Sequence, residues 1–354
     1  MIGIARTVAF EILMAVERGG YASDLLLART VDLDSRDAGL AGEIVFGVLR
    51  YRAALDFLIR HYSGRPAARL DPEVVTSLRM GVYQLRYLDR IPAHAAVGDS
   101  VELIKKARKR SAAGFANAVL RKVDRKEIEW PDRATRLSHP EWLLDRWTRQ
   151  FGASEAESIA RANLTAPETY TRGERIQDIG SQTIVPLLKL ELGQTFFDLC
   201  AAPGNKTAQA LEVGVNAIAC DVHLHRLRTL APLGIPLVAL DGTRPLPFRR
   251  RFDRILVDAP CSGTGTLARN PEIKWKLTAA DLVDLQTRQI ALLRSALDVL
   301  APGGLLVYST CSLEKEENED VVETISPAAV DETMRRLPGR DPGDGFFAAV
   351  IKFS

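Results

Sequence analysis

Two cysteines, Cys261 and Cys311, stand in short polar segments, Asp258–Ala259–Pro260–Cys261–Ser262–Gly263 and Ser309–Thr310–Cys311–Ser312. Each segment follows a short apolar run that reads as a strand. A free cysteine is usually just a small core residue, which is the reading for Cys220 and for the side chain of Cys200. Cys261 and Cys311 differ because both sit in polar loops. A thiolate is a strong soft nucleophile when its surroundings lower its pKa. One reaction that requires such a group is methylation of cytosine at C5, a carbon too weakly nucleophilic to take a methyl group unaided. Addition of sulfur to C6 makes C5 enamine-like, and an acid beside the ring, here Asp258, can support the adduct near N3. One cysteine must attack and a second could assist release. These residues alone do not say which is which.

A cofactor must supply the methyl group, and a loop for it precedes both cysteines. The strand at 195–199 runs into Cys200, Ala201, Ala202, Pro203, Gly204, Asn205 and Lys206, ahead of a helix at 206–213. Small residues let the backbone approach a ligand, and the helix offers its amino end. The G-x-G-x-x-G dinucleotide pattern and the P-loop spacing are both absent. Asp221 lies about 20 residues on, where an acid accepts hydrogen bonds from ribose hydroxyls. A ribose-bearing cofactor without a pyrophosphate fits both facts, which points to S-adenosylmethionine. Asp241 and Asp258 close two further strands. One acid at a strand end is commonplace, but three in series along one edge indicate a site.

Strands at 195–199, 217–220, 237–240, 255–257 and 305–309 alternate with helices, including a long one at 281–300 ended by Pro302, Gly303 and Gly304. This pattern predicts a doubly wound, Rossmann-like parallel sheet, whose ligands sit at the carboxyl ends of the strands. Residues 1–128 differ: apolar residues recur every three or four positions over 5–17, 38–60, 71–88, 94–109 and 112–123, predicting an all-α domain. A connecting region, 129–176, carries helical runs at 141–151 and 154–163, and the catalytic domain spans 177–354. Net charge is only +2, yet residues 105–126 are strongly basic around the turn Gly114, Phe115, Ala116 and Asn117. Such a block tracks a phosphate backbone or is a solvated helix face. No run approaches the roughly 18 apolar residues of a membrane helix. With four cysteines in 354 residues there is no disulfide framework, and a cytoplasmic protein is expected. The five histidines show no ligand spacing, so no metal is expected.

The segments DLCAAPGNKT, VDAPCSGTGTLARNPEIKW and YSTCSLEKEENEDVV resemble the signature motifs of the Nol/Nop/Sun family of RNA 5-methylcytosine methyltransferases. Gln177–Asp178 with Ser181–Gln182, and the closing stretch Gly343, Asp344, Gly345, Phe346 and Phe347, extend the likeness. GEIVFGVLRYRAALDFLI, RIPAHAAV and GFANAVLRK resemble the NusB-like RNA-binding domain of its bacterial Sun/Fmu branch. The likeness covers nearly the whole chain. It implies Cys311 as nucleophile, Cys261 as the cysteine that helps release product, and residues 200–206 as the S-adenosylmethionine loop. Asp221, Asp241 and Asp258 then line cofactor and target base. It further implies ribosomal RNA of the small subunit as partner, with transfer RNA as the alternative, and a monomeric enzyme. Three departures stand out. Asn205 replaces a second glycine, which left-handed backbone tolerance would explain. The chain is shortened between Pro167 and Gln177, where the family has a small subdomain that helps hold RNA, and again between Val322 and Arg335. An RNA-binding relative with a vestigial catalytic half would show decay at Cys261, Cys311, Asp258 or Lys206, and all are present. An amino methyltransferase would carry an Asp/Asn-Pro-Pro-Tyr loop where Asp258–Ala259–Pro260–Cys261 stands.

Overall fold

The computed structural model describes residues 2–325 and 329–352. The remainder, including three residues of the shortened segment 322–335, lies outside it. The chain divides into two compact units, Met1–Ala166 with Leu267–Lys276, and Pro167–Thr266 with Leu277–Ser354.

In the first unit, helices α1 (Ile4–Glu17), α2 (Ala22–Arg29), α3 (Ser35–Arg50), α4 (Arg52–Ser63), α5 (Pro72–Tyr87), α6 (Ala93–Lys106) and α7 (Ala113–Leu120) bury one apolar stripe each. Ile12, Ile44, Leu55, Leu78 and Ile104 meet in the common core, as amphipathic periodicity requires. Two features differ from the sequence expectation. The periodic run 38–60 is two helices, because Tyr51 leaves helical backbone at φ −100° and ψ 15°. Its ring packs on Tyr87 with centroids 4.4 Å apart. Helix α2 escapes the periodicity because its leucines are consecutive: Leu26 is buried and Leu27 lies in solvent. Three more helices, Arg133–Leu137, Glu141–Phe151 and Ala153–Ala162, occupy the connecting region and belong to this unit, with Trp147 fully buried.

The unit is completed by a segment from far along the chain. Residues Leu267–Lys276 follow the Cys261 motif in sequence yet pack with the helices. Arg50 donates twice to Ala268 O, at 2.9 and 2.7 Å. Lys274 Nζ donates to Arg50 O at 2.9 Å and Trp275 Nε1 to Leu49 O at 2.7 Å. Both acceptors are terminal carbonyls of α3, which have no partner inside their own helix. At the other end, Glu272 accepts from the first amide of α2, Ala22 N, at 2.8 Å. Burial, with Arg50 nearby, pushes the Lys274 amine well below its ordinary range.

The second unit is built on a seven-stranded sheet: β1 (Thr195–Asp198), β2 (Asn216–Asp221), β3 (Leu237–Ala239), β4 (Phe252–Asp258), β5 (Leu300–Thr310), β6 (Val330–Arg336) and β7 (Phe346–Lys352). The order across the sheet is β3-β2-β1-β4-β5-β7-β6. The first five are parallel, while β7 runs antiparallel to β5 and β6 to β7. Covered on both faces, the central strands are apolar at consecutive positions. Phe197, Ile255, Leu306 and Ile351 enter one core, and their neighbours Phe196, Leu256, Val307 and Val350 enter the other. A hairpin of Thr171–Arg172 with Arg175–Ile176 occupies the shortened stretch ahead of the sheet. No helix among the described residues is long and apolar enough to cross a membrane.

Gly47 of α3 packs directly on α5. A Cβ there would sit 1.9 Å from Tyr83 Cζ. Gly47→Ala should lower unfolding stability by about 1–3 kcal/mol through overpacking, read as a lowered urea midpoint in far-ultraviolet circular dichroism.

Candidate active site

Strands β4 and β5 are registered so that Asp258 stands opposite Ser309. The ladder continues past the strand ends, since Ala259 N donates to Ser309 O at 2.8 Å and Gly265 N to Cys311 O at 2.9 Å. The two cysteine loops therefore leave the sheet side by side. Cys261 Sγ and Cys311 Sγ lie 3.3 Å apart, both as free, half-buried thiols. The hydrogen bond to Cys311, reinforced by burial and by the Glu317 charge, pushes the Cys261 thiol well above its ordinary range.

Asp258 is shared between two partners. Oδ1 accepts from Ser309 Oγ at 2.8 Å and Oδ2 from Lys206 Nζ at 2.6 Å. Burial would lower the Lys206 amine. The charge and hydrogen bond of Asp258, helped by Cys311 and Asp198, outweigh it and hold the amine above its ordinary value. A cation is thereby kept among carboxylates and thiols, where an unpaired one would be costly.

The loop after β1 is held by β2. Ala201 N donates to Cys220 O at 2.8 Å. Asp221, the buried last residue of β2, accepts from Ala202 N at 3.3 Å and His223 N at 2.8 Å. Pro203 follows a cis peptide bond. Gly204 takes the left-handed backbone, φ 103°, where a Cβ would meet Leu230 Cγ at 2.6 Å. Asn205 therefore needs no left-handed tolerance: it opens the helix Asn205–Leu211, and its amide donates to Ile176 O of the hairpin at 3.0 Å. Cys200 is partly buried, and burial with Asp198, Asp258 and Asp221 around it pushes its thiol well up. Asp241 lies beyond β3, exposed, its carboxylate accepting from Thr243 N and Oγ1 at 3.0 and 2.7 Å and facing Arg244 at 3.3 Å.

Two carboxylates that the candidate residues omitted complete the site. Asp198, last in β1, is fully buried. Its Oδ2 accepts from Thr207 Oγ1 at 2.6 Å, while Oδ1 has no partner. Burial raises its pKa to about 7. Glu317, completely buried, accepts from Ser262 N at 2.7 Å and Gln289 Nε2 at 3.0 Å, and from the hydroxyls of Ser262 and Ser312. Both acids lie inside quoted motifs, but only burial distinguishes them from solvated carboxylates, and burial depends on residues distant in sequence.

A small-residue loop after the first strand, an acid ending the second and a buried acceptor left open at Asp198 fit S-adenosylmethionine. Fold and site together are those of an S-adenosylmethionine-dependent methyltransferase. The model of the family described as 16S rRNA methyltransferase RsmB/F matches residues 185–352, and the NusB family model matches residues 4–125. The chain belongs to the RsmB/F family, with a NusB-family domain at its amino-terminal end. It is 30% identical to the probable ribosomal RNA small subunit methyltransferase B of Bacillus subtilis, over 98% of each chain. It is likewise 30% identical to ribosomal RNA small subunit methyltransferase B of Klebsiella pneumoniae, covering 99% of this chain and 98% of that one. The Bacillus alignment spans 439 positions against 354 residues here, so this chain carries internal gaps relative to that protein. Among solved structures, PH0851 shares the fold with a TM-score of 0.76 over 99% of both chains at 20% identity. A methyltransferase homolog protein from Pyrococcus horikoshii, 25% identical, gives 0.53 over 64% of this chain and 100% of that one.

The Asp198 shift has a signed consequence. Its folded pKa lies above the unfolded value, so its contribution to stability is fully present below the unfolded pKa and is lost as pH rises through about 7. Between these limits the slope approaches about 1.4 kcal/mol per pH unit. Asp198→Asn should remove this component, seen as a flatter dependence of the urea midpoint on pH than in the wild-type protein.

Proposed function

We propose that the chain methylates C5 of a cytosine in small-subunit ribosomal RNA through a covalent Cys311–C6 adduct. The observation that carries this reading is the contact of two thiols, 3.3 Å apart, beside the half-buried Lys206–Asp258 pair at 2.6 Å. S-adenosylmethionine, held by the loop from Cys200 to Lys206 with Asp221 and Asp241, supplies an electrophilic methyl group. Cys311 adds to C6, and the C5–C6 π electrons make C5 the nucleophile. As Cys311 adds, its thiol proton is taken up at N3, where Asp258 accepts a hydrogen bond from the new N3–H, and Lys206, kept charged by Asp258, donates to the negative charge that develops on the ring. Once C5 carries the methyl group, its proton passes to water, N3 gives up the proton it had taken, the C5–C6 double bond re-forms and the C6–sulfur bond breaks to return the Cys311 thiolate. Cys261 assists this release.

The contact between the sulfurs, 3.3 Å, brings both thiols to one base, and the assignment of attack to Cys311 and release to Cys261 follows the Thr-Cys-Ser and Pro-Cys motifs in which they stand. The names of the curated relatives support ribosomal RNA as substrate, which would place a monomeric enzyme in the cytoplasm, where ribosomes assemble. The NusB-family domain would bring RNA to the site.

Cys311→Ala should abolish methyl transfer to 16S rRNA. Cys261→Ala should accumulate a protein–RNA adduct that survives denaturing gel electrophoresis. A fully active Cys261→Ala enzyme with no adduct would falsify the two-cysteine mechanism. Mapping 5-methylcytosine in ribosomal and transfer RNA from cells with and without the gene identifies the substrate.

A further inference from the structure

Each cysteine is followed by a serine, and both serines end on one carboxylate. Ser262 donates its backbone N–H to Glu317 Oε1 at 2.7 Å, and its hydroxyl reaches Oε2. The Ser312 hydroxyl reaches the same Oε2, and the two hydroxyls lie 3.1 Å apart. Gln289 Nε2 holds the cluster from the side, donating at 3.0 Å both to Glu317 Oε1 and to Pro260 O, the residue before Cys261. Glu317 is itself anchored, since its backbone carbonyl accepts from the Tyr308 hydroxyl at 2.7 Å. The next residue, Asn318, ties back to the other loop, accepting from Thr310 Oγ1 at 2.5 Å and donating to Ser312 O at 3.0 Å. The carboxylate and both serine side chains are buried.

We propose that Glu317 is a positioning residue for the methyl-transfer reaction, a buried clamp that fixes the turns after Cys261 and Cys311 so that Cys311 meets C6 of the base with Cys261 held beside it. The proposal rests on the reaction assigned above. A neutral side chain of the same shape cannot replace this carboxylate, because three donated protons and a backbone amide converge on its two oxygens. Glutamine offers one acceptor oxygen and would turn its own N–H groups toward donors. Hydrogen bonds to a buried charge are the strong ones, and an unmatched donor there is costly.

The clamp also acts on one thiol electrostatically, as the Glu317 charge contributes to holding Cys261 protonated. The other titratable groups that interact with Cys261 are Cys311 and Tyr308, on β5 and its loop, while Lys206, on the helix after β1 and paired with Asp258, acts on Cys311. Glu317→Gln removes one negative charge from this set and leaves the rest. A purely structural glutamate would lower stability on substitution, yet leave the ionisation of Cys261 in the folded protein where it was.

The test uses the full chain. Iodoacetamide labelling of each cysteine, followed by mass spectrometry across neutral and alkaline pH, should show Cys261 of Glu317→Gln labelling at a pH about one unit lower than in wild type. Adduct formation with an RNA carrying 5-fluorocytosine, whose C5 cannot lose a proton, should slow about tenfold or more. Calorimetric affinity for S-adenosylmethionine should stay within about twofold, because the hydrogen bonds that hold the cofactor loop run to Cys220, Asp221, Ile176 and Asp258 and not to the Glu317 carboxylate. Wild-type labelling profiles and adduct rates in Glu317→Gln overturn the proposal. Failure of the wild-type protein to form the adduct overturns instead the cytosine reaction, and the labelling profiles then decide the role of Glu317 alone. If Glu317→Gln does not fold, Ser312→Ala removes one donor to the carboxylate beside Cys311, together with the acceptor for Glu314 N. Altered labelling of Cys311 in that variant supports the clamp, and labelling unchanged at both cysteines overturns it.

Discussion

The site depends on the register between β4 and β5. Parallel pairing sets Asp258 across from Ser309, and their side chains bond at 2.8 Å. Because side chains alternate faces along a strand, a slip of one residue would turn one of them away. The loops that carry the cysteines begin on the same rung and are joined again at Gly265 and Cys311. Sulfur atoms separated by fifty residues of chain thus come into contact without either loop having to search for the other. Lys206, from the helix after β1, then binds to the shared aspartate. One strand pairing organises three elements.

Two buried carboxylates show how differently the same chemical group is used. Glu317 receives donors on both oxygens and is closed to anything further. Asp198 has Thr207 on one oxygen and nothing on the other. A fully satisfied buried acid rigidifies its surroundings. One with an open acceptor, and a pKa raised to about 7, is suited to exchanging partners as a ligand arrives. The first lies under the cysteines and the second at the start of the cofactor loop.

Much of this was legible in the sequence. Short apolar runs ended by Asp221, Asp241 and Asp258 located the carboxyl edge of a parallel sheet, and the motif residues around Cys261 and Cys311 placed both thiols there. The reading stopped where function depends on what a side chain meets. Ser262, Gln289 and Ser312 make Glu317 a clamp, and they come from three separate elements. Asn205 looked like a substitute for a left-handed glycine, yet Gly204 alone takes that conformation and Asn205 is spent on the hairpin carbonyl of Ile176. Helix α2 was invisible because consecutive leucines have no helical period, and the break at Tyr51 was hidden because periodicity runs on through it.

The ten residues Leu267–Lys276 have a consequence for the order in which the protein matures. As the chain leaves the ribosome, the helices up to Ala166 can close on one another early. The terminal carbonyls of α3 and the first amide of α2 nevertheless await Lys274, Trp275 and Glu272. Between the two events the β1–β4 half of the sheet must emerge, with its apolar strands still unpaired on the β5 side. The helical unit therefore reaches its final state only as catalytic sequence is being made, and an amino-terminal fragment ending at Ala166 would display an unfilled seat where Trp275 belongs.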